Sequence, residues 1–199
     1  MAKLKIAITG GIGSGKSTVL SYLRENGYTV FSCDELYKEI IISNEYIEKV
    51  KALFPSAVKN GVIRRDVLAG IVFKYNKKRQ LLNALAHPYI MDRLQTYMDD
   101  CRKPIVFAEV PLLFEGNFEN LFDKIIYIKR NEDQRKQAVA LRDQCKEEEV
   151  DKRIKSQFDA SSDEGKIRLE KCNAIILENN QSLDNLQEEL KKLLINLNT

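Results

Sequence analysis

Apolar runs alternate with helical patterns along most of this chain. In the helical stretches, such as the predicted helix 132–142, apolar residues recur every three or four positions. Five shorter runs are predicted to be strands: Leu4–Thr9, Tyr28–Phe31, Ile105–Val110, Lys124–Lys129 and Ala174–Leu177. Because strands that alternate with helices form a parallel sheet covered on both faces, the pattern predicts an α/β fold.

The alternation is interrupted between the second and third predicted strands. Residues 34–103 contain no comparable strand but several helical stretches, one of which is predicted to begin at Pro88, in a first-turn position. The interval is too long for a simple crossover. We therefore predict one chain with a helical insertion over about 34–103, and a core formed by residues 1–33, 104–142 and 172–199.

The stretch after the fourth predicted strand is highly charged. In residues 146–157 only Val150 and Ile154, followed by Phe158, recur at helical spacing, so we expect this part to pack loosely. It is either a solvated helical hairpin or a mobile lid over about residues 142–171, and charge alone favours the hairpin. Six leucines near the C-terminus form a helical face that we assign to the core: Leu183, Leu186, Leu190, Leu193, Leu194 and Leu197.

One motif carries specific chemistry. Residues 10–17 match the G-x-x-x-x-G-K-S pattern of a phosphate-binding P-loop, directly after a predicted strand and before a helical pattern. Glycines let successive N–H groups face a phosphate, Lys16 reaches the outer phosphates, and Ser17 is expected to hold Mg²⁺. The predicted ATP-binding residues are Gly11, Gly13, Ser14, Gly15, Lys16, Ser17 and Thr18. A glycine-rich turn that contains lysine by chance is the less favoured alternative.

Composition and charge limit the remaining classes. The chain has 199 residues, 44% of them hydrophobic, and a net charge of +3, so it can bury a core but shows no bulk charge for binding nucleic acid. No run approaches the roughly 20 apolar residues that cross a bilayer, and the N-terminus has no signal pattern. We therefore expect no membrane partner and a cytoplasmic location. Four cysteines without C-x-x-C spacing indicate ordinary thiols, and no pattern indicates an oligomeric state.

The surroundings of the P-loop narrow the type of protein. A guanine-specific protein would carry N-K-x-D after a strand, whereas residues 76–79 read N-K-K-R and lack the aspartate. A short chain with one early P-loop, an inserted helical region and a late basic segment fits a small-molecule kinase. Two alternatives stay open: a kinase for another small acceptor, such as a nucleoside monophosphate, and a non-catalytic protein that uses ATP as a conformational signal.

Five motifs follow one another in a fixed order. They are T-G-G-I-G-S-G-K-S at 9–17, the second aspartate of D-A-D at Asp34, L-N-x-x-x-H-P-x-I at 82–90, P-L-L-F-E at 111–115 and a weak echo of A-D-x-V-I-x-N at 172–179. On these motifs, from about Ile6 to Asn179, the chain resembles the dephospho-CoA kinase family. The resemblance implies a P-loop kinase fold with a five-stranded parallel sheet flanked by helices, a helical acceptor-binding insertion and a helical lid. It also implies ATP and dephospho-CoA as substrates, with Mg²⁺.

The chain departs from the family pattern in the insertion and in the lid. Where the family has G-x-[IL]-D-R, Arg64 replaces the aspartate, so only Arg65 carries over. The arginine that often stands four residues before the lid's R-D pair is replaced by Ala138, and Arg135, about one helical turn further back, is the candidate to supply the missing charge. The stretch 157–173 is several residues longer than usual.

The resemblance implies transfer of the γ-phosphoryl group of ATP to the ribose 3′-hydroxyl of dephospho-CoA, giving CoA and ADP. Catalysis then rests on positioning and on cations, here Lys16 and Mg²⁺ on Ser17. Asp34 is predicted to accept the hydroxyl proton or hold the hydroxyl in line. By position alone Asp34 is an equally good helix N-cap, and the resemblance favours catalysis. Arg142 is the predicted lid arginine that approaches the phosphates on closure, with a solvated surface arginine as the alternative.

Four further residues are candidates for the site. Glu109 is expected to hold Mg²⁺ through a water, or else to pair with a local lysine at the sheet edge. Arg65 is expected to pair with the acceptor pyrophosphate. His87, the single histidine, is an acceptor-site candidate, although a lone histidine before proline is more often a helix-start or core residue. Leu112 and its two apolar neighbours either pack against the acceptor or close the core.

Overall fold

The structure, a computed structural model, describes residues 3–197 and contains a five-stranded parallel sheet flanked by helices. The strands of this sheet are β1 (Leu4–Thr9), β2 (Thr29–Ser32), β5 (Ile105–Glu109), β6 (Lys124–Lys129) and β7 (Ile175–Glu178), and a separate antiparallel pair consists of β3 (Val58–Lys59) and β4 (Val62–Ile63). The helices are α1 (Lys16–Glu25), α2 (Cys33–Ile40), α3 (Asn44–Leu53), α4 (Arg65–Lys74), α5 (Asn76–Asp100), α6 (Glu132–Asp143), α7 (Glu147–Lys155), α8 (Asp163–Lys171) and α9 (Leu183–Leu197). Residues 1, 2, 198 and 199, the outer ends of the predicted core segments, lie outside the described residues.

The sheet has the order β2-β5-β1-β6-β7, which puts β1 at its centre. Strand β1 pairs in parallel with β5 and with β6, and Ile6, Ala7 and Ile8 have no exposed surface. Such complete burial is typical of a central strand covered on both faces. The predicted α/β fold is confirmed, and the five predicted strands are present with bounds that differ by no more than one residue at either end.

Contacts divide the chain into two compact units. The first, here called the P-loop unit, is Met1–Val30 with Cys101–Thr199, and the second, the insertion unit, is Phe31–Asp100. The core of the P-loop unit contains strand residues packed with α1 and α9: Ile6, Ile8, Val19, Leu20, Leu23, Ile105, Phe107, Ile126, Ile128, Leu177, Leu186, Leu190 and Leu194. Leu183, which we assigned to the core face of α9, is instead 53% exposed because it is the first residue of the helix and precedes its buried turns.

The insertion unit has a core of its own, formed by residues of α2 to α5 and of the short hairpin: Ile40, Ile41, Tyr46, Ile47, Val50, Phe54, Ala57, Ile63, Leu68 and Ala86. The insertion unit consists mainly of helices, as predicted, and also contains the short antiparallel pair of β3 and β4. Asn60 and Gly61 form the turn with φ of 53° and 72°, values that a two-residue hairpin turn requires. Two-residue strands are too short to give a periodic signal.

The longest helix, α5, has 25 residues and contains Pro88 in its interior, so the prediction that a helix begins at Pro88 was wrong. Proline removes a backbone donor and disfavours the helix interior. Ala86 before it and Met91 and Leu94 after it are all buried, and this packing on both sides of Pro88 outweighs the local preference. Among residues 3–197, no helix is both long enough and apolar enough to cross a bilayer.

Candidate active site

The P-loop connects β1 to α1 and is shaped by glycines. Gly13 has φ of 76° and Gly15 has φ of 97°, in the left-handed region that favours glycine. A Cβ atom at Gly13 would also lie 2.7 Å from the carbonyl oxygen of Arg135, so no larger residue fits without movement. Helix α1 begins at Lys16, and its positive N-terminal end therefore faces the loop, as an anion-binding site requires.

Polar side chains of the loop converge on its interior. The Lys16 Nζ atom donates to the carbonyl oxygens of Gly10, at 2.7 Å, and Gly11, at 3.1 Å, which holds the ammonium group over the loop. The Ser14 Oγ atom is buried and has no hydrogen-bond partner among residues 3–197. An orphaned hydroxyl in such a loop suits a phosphate oxygen as its missing partner. Ser17 and Thr18 are exposed in the first turn of α1.

Two arginines that follow β6 touch the loop. Arg135 Nε donates to the carbonyl oxygen of Ile12 at 2.9 Å, and Arg130 Nη1 donates to that of Gly13 at 3.3 Å. A Cβ atom at Gly11 would overlap the Arg135 guanidinium, so the absence of a side chain at this position lets the arginine lie over the loop. The sequence singled out Arg135 as the replacement charge, and it missed Arg130.

Two amide side chains complete the contacts around the loop. Gln157 Oε1 accepts from the N–H group of Ile12 at 2.8 Å, and Asn179 Nδ2 donates to the carbonyl oxygen of Ser14 at 2.8 Å. Asn179 is the last residue of the A-D-x-V-I-x-N motif at 172–179, and this motif was the sequence signal for its role. Gln157 stands at the start of the unusually long stretch and gave no signal.

A cavity of about 530 Å³ opens beside the P-loop. Its lining includes Gly11 and Ser14 of the loop, Arg130 and Arg135, and Asn180 after β7. The volume lies within the roughly 300–1,000 Å³ of typical small-molecule sites. The cavity is therefore large enough for part of a nucleotide whose phosphates lie in the loop.

Residues 130–171, here called the charged segment, contain α6, α7 and α8. Helices α6 and α7 are joined by ion pairs of Lys136 with Asp151, at 2.8 Å, and of Asp143 with Arg153, at 2.6 Å. Val150, which begins the thin apolar stripe of α7, is fully buried. This half of the segment is otherwise dominated by exposed charged side chains.

The second half of the charged segment packs firmly, contrary to the expectation for Phe158. This ring lies beyond the end of α7 and stacks on Phe114 with centroids 4.1 Å apart, while Tyr127 approaches it edge-on at 6.2 Å. Arg168 covers both phenylalanine rings and bonds Glu119 at 2.5 Å. Burial among these groups raises the pKa of Tyr127. The spacing predicts that the helix containing Val150 and Ile154 continues to Phe158. Instead, the Phe158 ring packs against residues that are remote in sequence.

Asp34 is exposed and is the second residue of α2, whose N-cap is Ser32. The alternative in which Asp34 caps this helix was therefore wrong, because α2 begins at Cys33, two residues earlier than a cap at Asp34 requires. Glu109 is the last residue of β5, is partly exposed and pairs in register with Ile8 of β1. The side chain of Arg142 is 62% exposed and bonds Asp143 at 2.7 Å, which holds the pKa of Asp143 below its usual range.

The acceptor candidates are divided between the two units. Arg65 is exposed at the start of α4, and His87 is half-buried inside α5, where burial lowers its pKa. Burial thus favours the neutral form of His87, and the residue lies inside a helix rather than at its start. Leu112 follows β5 and stays partly exposed, while its neighbours Leu113 and Phe114 are buried in the core of the P-loop unit.

Comparison with known proteins identifies consistent relatives. The family model described as dephospho-CoA kinase matches residues 4–185. A Fusobacterium nucleatum protein named dephospho-CoA kinase is 32% identical over 194 residues, covering 96% of this chain and 97% of the relative. A crystal structure of a Thermus thermophilus protein aligns with a TM-score of 0.80 and 34% identity over 99% of both chains. A dephospho-CoA kinase from Campylobacter jejuni aligns with a TM-score of 0.66 and 25% identity over 97% of this chain and 96% of that one.

Proposed function

The chain belongs to the dephospho-CoA kinase family, and on that premise we propose how its residues divide the work. It is a kinase that uses ATP to phosphorylate dephospho-CoA in coenzyme A biosynthesis. The observation that carries our proposal for the site is the P-loop, in which Lys16 is held over the loop and the buried Ser14 hydroxyl lacks a partner.

The transfer itself needs little covalent chemistry from the protein. The ribose 3′-hydroxyl oxygen forms a bond to the γ-phosphorus, the bond from that phosphorus to the bridging oxygen of ADP breaks, and the hydroxyl proton leaves. Negative charge spreads over the peripheral oxygens in a loose transition state. Positioning and fixed cations therefore supply most of the rate acceleration.

We assign the phosphates of ATP to the P-loop and its nucleoside to the adjoining cavity. The N–H groups from Gly13 to Thr18 and the Lys16 ammonium hold the β- and γ-phosphates, and Ser14 Oγ gains its missing partner there. The planar, multi-donor guanidinium groups of Arg130 and Arg135 line the cavity next to the loop. Gly11 contributes by leaving room for Arg135.

The residues near the loop also suit Mg²⁺ delivered with ATP. Ser17 presents an exposed hydroxyl in the first turn of α1, and Glu109 ends the strand next to β1, so both offer the hard oxygen donors that this ion prefers. We propose that Ser17 holds the ion directly and Glu109 through a water. Bound there, Mg²⁺ would neutralise charge on the transferring phosphoryl group.

For the acceptor side, we propose that Asp34 receives the 3′-hydroxyl proton or orients the hydroxyl. Arg65 pairs with the acceptor pyrophosphate, while His87 acts as a hydrogen-bonding group and Leu112 as an apolar contact. Arg142 leaves Asp143 and approaches the phosphates when a lid over about 142–171 closes. In this scheme, residues of about 34–103 form the acceptor-binding insertion.

We also propose that the enzyme acts in the cytoplasm, where ATP is abundant and thiols stay reduced. Within residues 3–197, Cys33, Cys101, Cys145 and Cys172 form no disulfide, which is compatible with that compartment. Cell fractionation followed by detection of the chain would test this location.

The decisive experiment mixes the purified protein with MgATP and dephospho-CoA and follows ADP release. Turnover that requires dephospho-CoA supports the proposal. Turnover with a nucleoside monophosphate in its place would favour the alternative kinase. ATP binding without turnover on either acceptor would favour a protein that uses ATP as a signal.

Asp34→Asn tests the proposed acceptor role. The change removes the charge that would take the proton, and general-base catalysis contributes typically about 10²–10⁴-fold. Because the hydroxyl of a loose transition state keeps its proton until late, we expect turnover to fall by at least about tenfold. ATP affinity should stay unchanged, since Asp34 acts on the acceptor only.

Glu35→Gln is the matched control, because both carboxylates are exposed in the first turn of α2. Each interacts with the helix dipole, so each change should cost a similar, small stability of about 0.3–1 kcal/mol. Turnover in Asp34→Asn that equals turnover in Glu35→Gln would remove Asp34 from the catalytic scheme.

A further inference from the structure

The peptide groups of Ile12, at the tip of the P-loop, are held on both sides by the charged segment. The Ile12 N–H group donates to Gln157 Oε1 at 2.8 Å, and its carbonyl oxygen accepts from Arg135 Nε at 2.9 Å. Arg135 lies in α6, whereas Gln157 lies just after α7. The tip is thus fixed by two side chains, one from α6 and one from the residues that follow α7.

Such fixing matters because the tip is built from residues with great backbone freedom. Gly11 and Gly13 flank Ile12, and glycine loses more conformational freedom on ordering than any other residue. An anion-binding loop works only when its N–H groups already point inward. A restraint applied before the nucleotide arrives therefore improves affinity by lowering the cost of ordering.

Gln157 is itself held in place by its neighbour. Phe158 stacks on Phe114, and the Phe158 N–H group donates to Glu115 Oε1 at 2.8 Å. Arg168 covers the same ring pair from α8. The Gln157 amide therefore projects to Ile12 from a backbone that is anchored on the core.

We propose that Gln157 is a positioning residue that holds the P-loop tip in its ATP-binding form. Arg135 bonds the carbonyl oxygen of the same residue, Ile12, so ATP affinity depends on where the charged segment lies. The acceptor plays no part in this contact. The inference rests on the assignment of ATP to the P-loop.

Gln157→Ala tests the proposal, with Gln137→Ala, an exposed glutamine on α6, as the matched control. Loss of one neutral hydrogen bond should weaken binding of ATP by about fivefold. The KM for ATP should rise by the same factor while kcat and the KM for dephospho-CoA stay constant. A purely structural role would instead lower thermal stability and leave ATP affinity alone.

Amide hydrogen exchange of Ile12 gives a readout independent of turnover. Protection of this N–H should fall in Gln157→Ala and persist in Gln157→Glu, whose carboxylate still accepts the hydrogen bond. Equal protection in the wild type and in Gln157→Ala would overturn the inference, even if one of the variants were less stable.

The binding data also separate this inference from the proposed function. If the wild type does not bind ATP, the ATP assignment and this inference both fall. If the wild type, Gln137→Ala and Gln157→Ala bind ATP equally, the assignment stands and the positioning role of Gln157 falls. Arg135 and Gln157 both bond Ile12, so their effects on ATP affinity should not be independent. The fold-loss of ATP affinity in the double variant Arg135→Ala/Gln157→Ala should be smaller than the product of the fold-losses in the two single variants.

Discussion

The P-loop and the charged segment meet at Ile12, yet they are built in different ways. The shape of the loop comes from backbone conformation, with positive φ at Gly10, Gly13 and Gly15, and its binding groups include backbone N–H donors. The charged segment works through the ends of long side chains. The Arg135 and Gln157 contacts reach Ile12 across 123 and 145 positions of chain.

This difference predicts two kinds of mutational effect. A change in the loop alters the groups that touch the phosphates, so it acts on the chemical step. A change in the charged segment alters how the loop is held or covered, so it acts on ATP affinity, on closure or on stability.

The largest loss is expected at the P-loop itself. Lys16→Ala removes a cation aimed at the developing charge, and loss of one such preorganised group typically costs about 10²–10³ in rate. The variant should keep its fold, because Lys16 bonds two loop carbonyls and is not part of the core. Steady-state turnover together with circular dichroism would measure both outcomes.

Lys191→Ala, an exposed lysine on α9, is the control for loss of charge alone. It should keep nearly full activity. A folded Lys16→Ala enzyme with more than about a tenth of wild-type turnover, well outside the range expected for such a group, would contradict the phosphate role of Lys16.

The same difference explains how much could be predicted from sequence. The loop and the strand before it are specified by consecutive residues, and β1 has the predicted bounds of Leu4–Thr9. Glycine spacing and apolar burial are local signals. Pro88 shows the opposite case, because burial of residues on both sides keeps α5 continuous where the local rule predicts a helix start.

Side-chain contacts of the site were harder to predict for a physical reason. Arg130 and Gln157 touch the P-loop only because β6 lies next to β1 and because Phe158 stacks on Phe114. Neither relation can be read from a charged stretch of sequence. Among the predicted groups, the roles of Asp34, Arg142 and the acceptor candidates stay predictions, and they require the variants described here.

Arg142 gives the next largest expected effect. Its guanidinium bonds the Asp143 carboxylate and makes no other side-chain hydrogen bond among residues 3–197, so Arg142→Ala should leave the KM for ATP unchanged. If Arg142 reaches the phosphates on closure, kcat should fall by about 10- to 100-fold, below the roughly 10³–10⁵ of a fully engaged arginine finger. Steady-state kinetics with both substrates varied would resolve the two parameters.

Arg153→Ala is the matched control, because Arg153 bonds the same Asp143 carboxylate at 2.6 Å. If the two variants lose kcat equally, the loss comes from the Asp143 pairing, and Arg142 is a surface residue. A loss confined to Arg142→Ala supports its approach to the phosphates.

Phe158→Ala should act on stability. Truncation of a buried phenylalanine costs about 3–5 kcal/mol, and because Phe158 is half-buried we expect its loss to lower the free energy of unfolding by about 2 kcal/mol. Urea denaturation would measure this loss. Leu141→Ala is the control: the residue lies in α6 and is 84% exposed, so its truncation should change the free energy of unfolding by less than about 0.5 kcal/mol. An unchanged midpoint in Phe158→Ala would mean that the aromatic stack does not anchor the charged segment.

The smallest effect is expected in the proteolysis of the charged segment. Cleavage should differ between α7 and α8. Trypsin should cleave the native enzyme at exposed basic sites of α7, such as Lys152, because that helix presents mostly charged surface. A bisubstrate analogue of ATP and dephospho-CoA should slow this cleavage by about tenfold if it biases closure by about 1.4 kcal/mol.

Cleavage after Arg168 in α8 should be slow in both states, because its guanidinium is bonded to Glu119 and Asn117. Equal cleavage of α7 with and without the analogue would favour the solvated hairpin and remove the case for a lid.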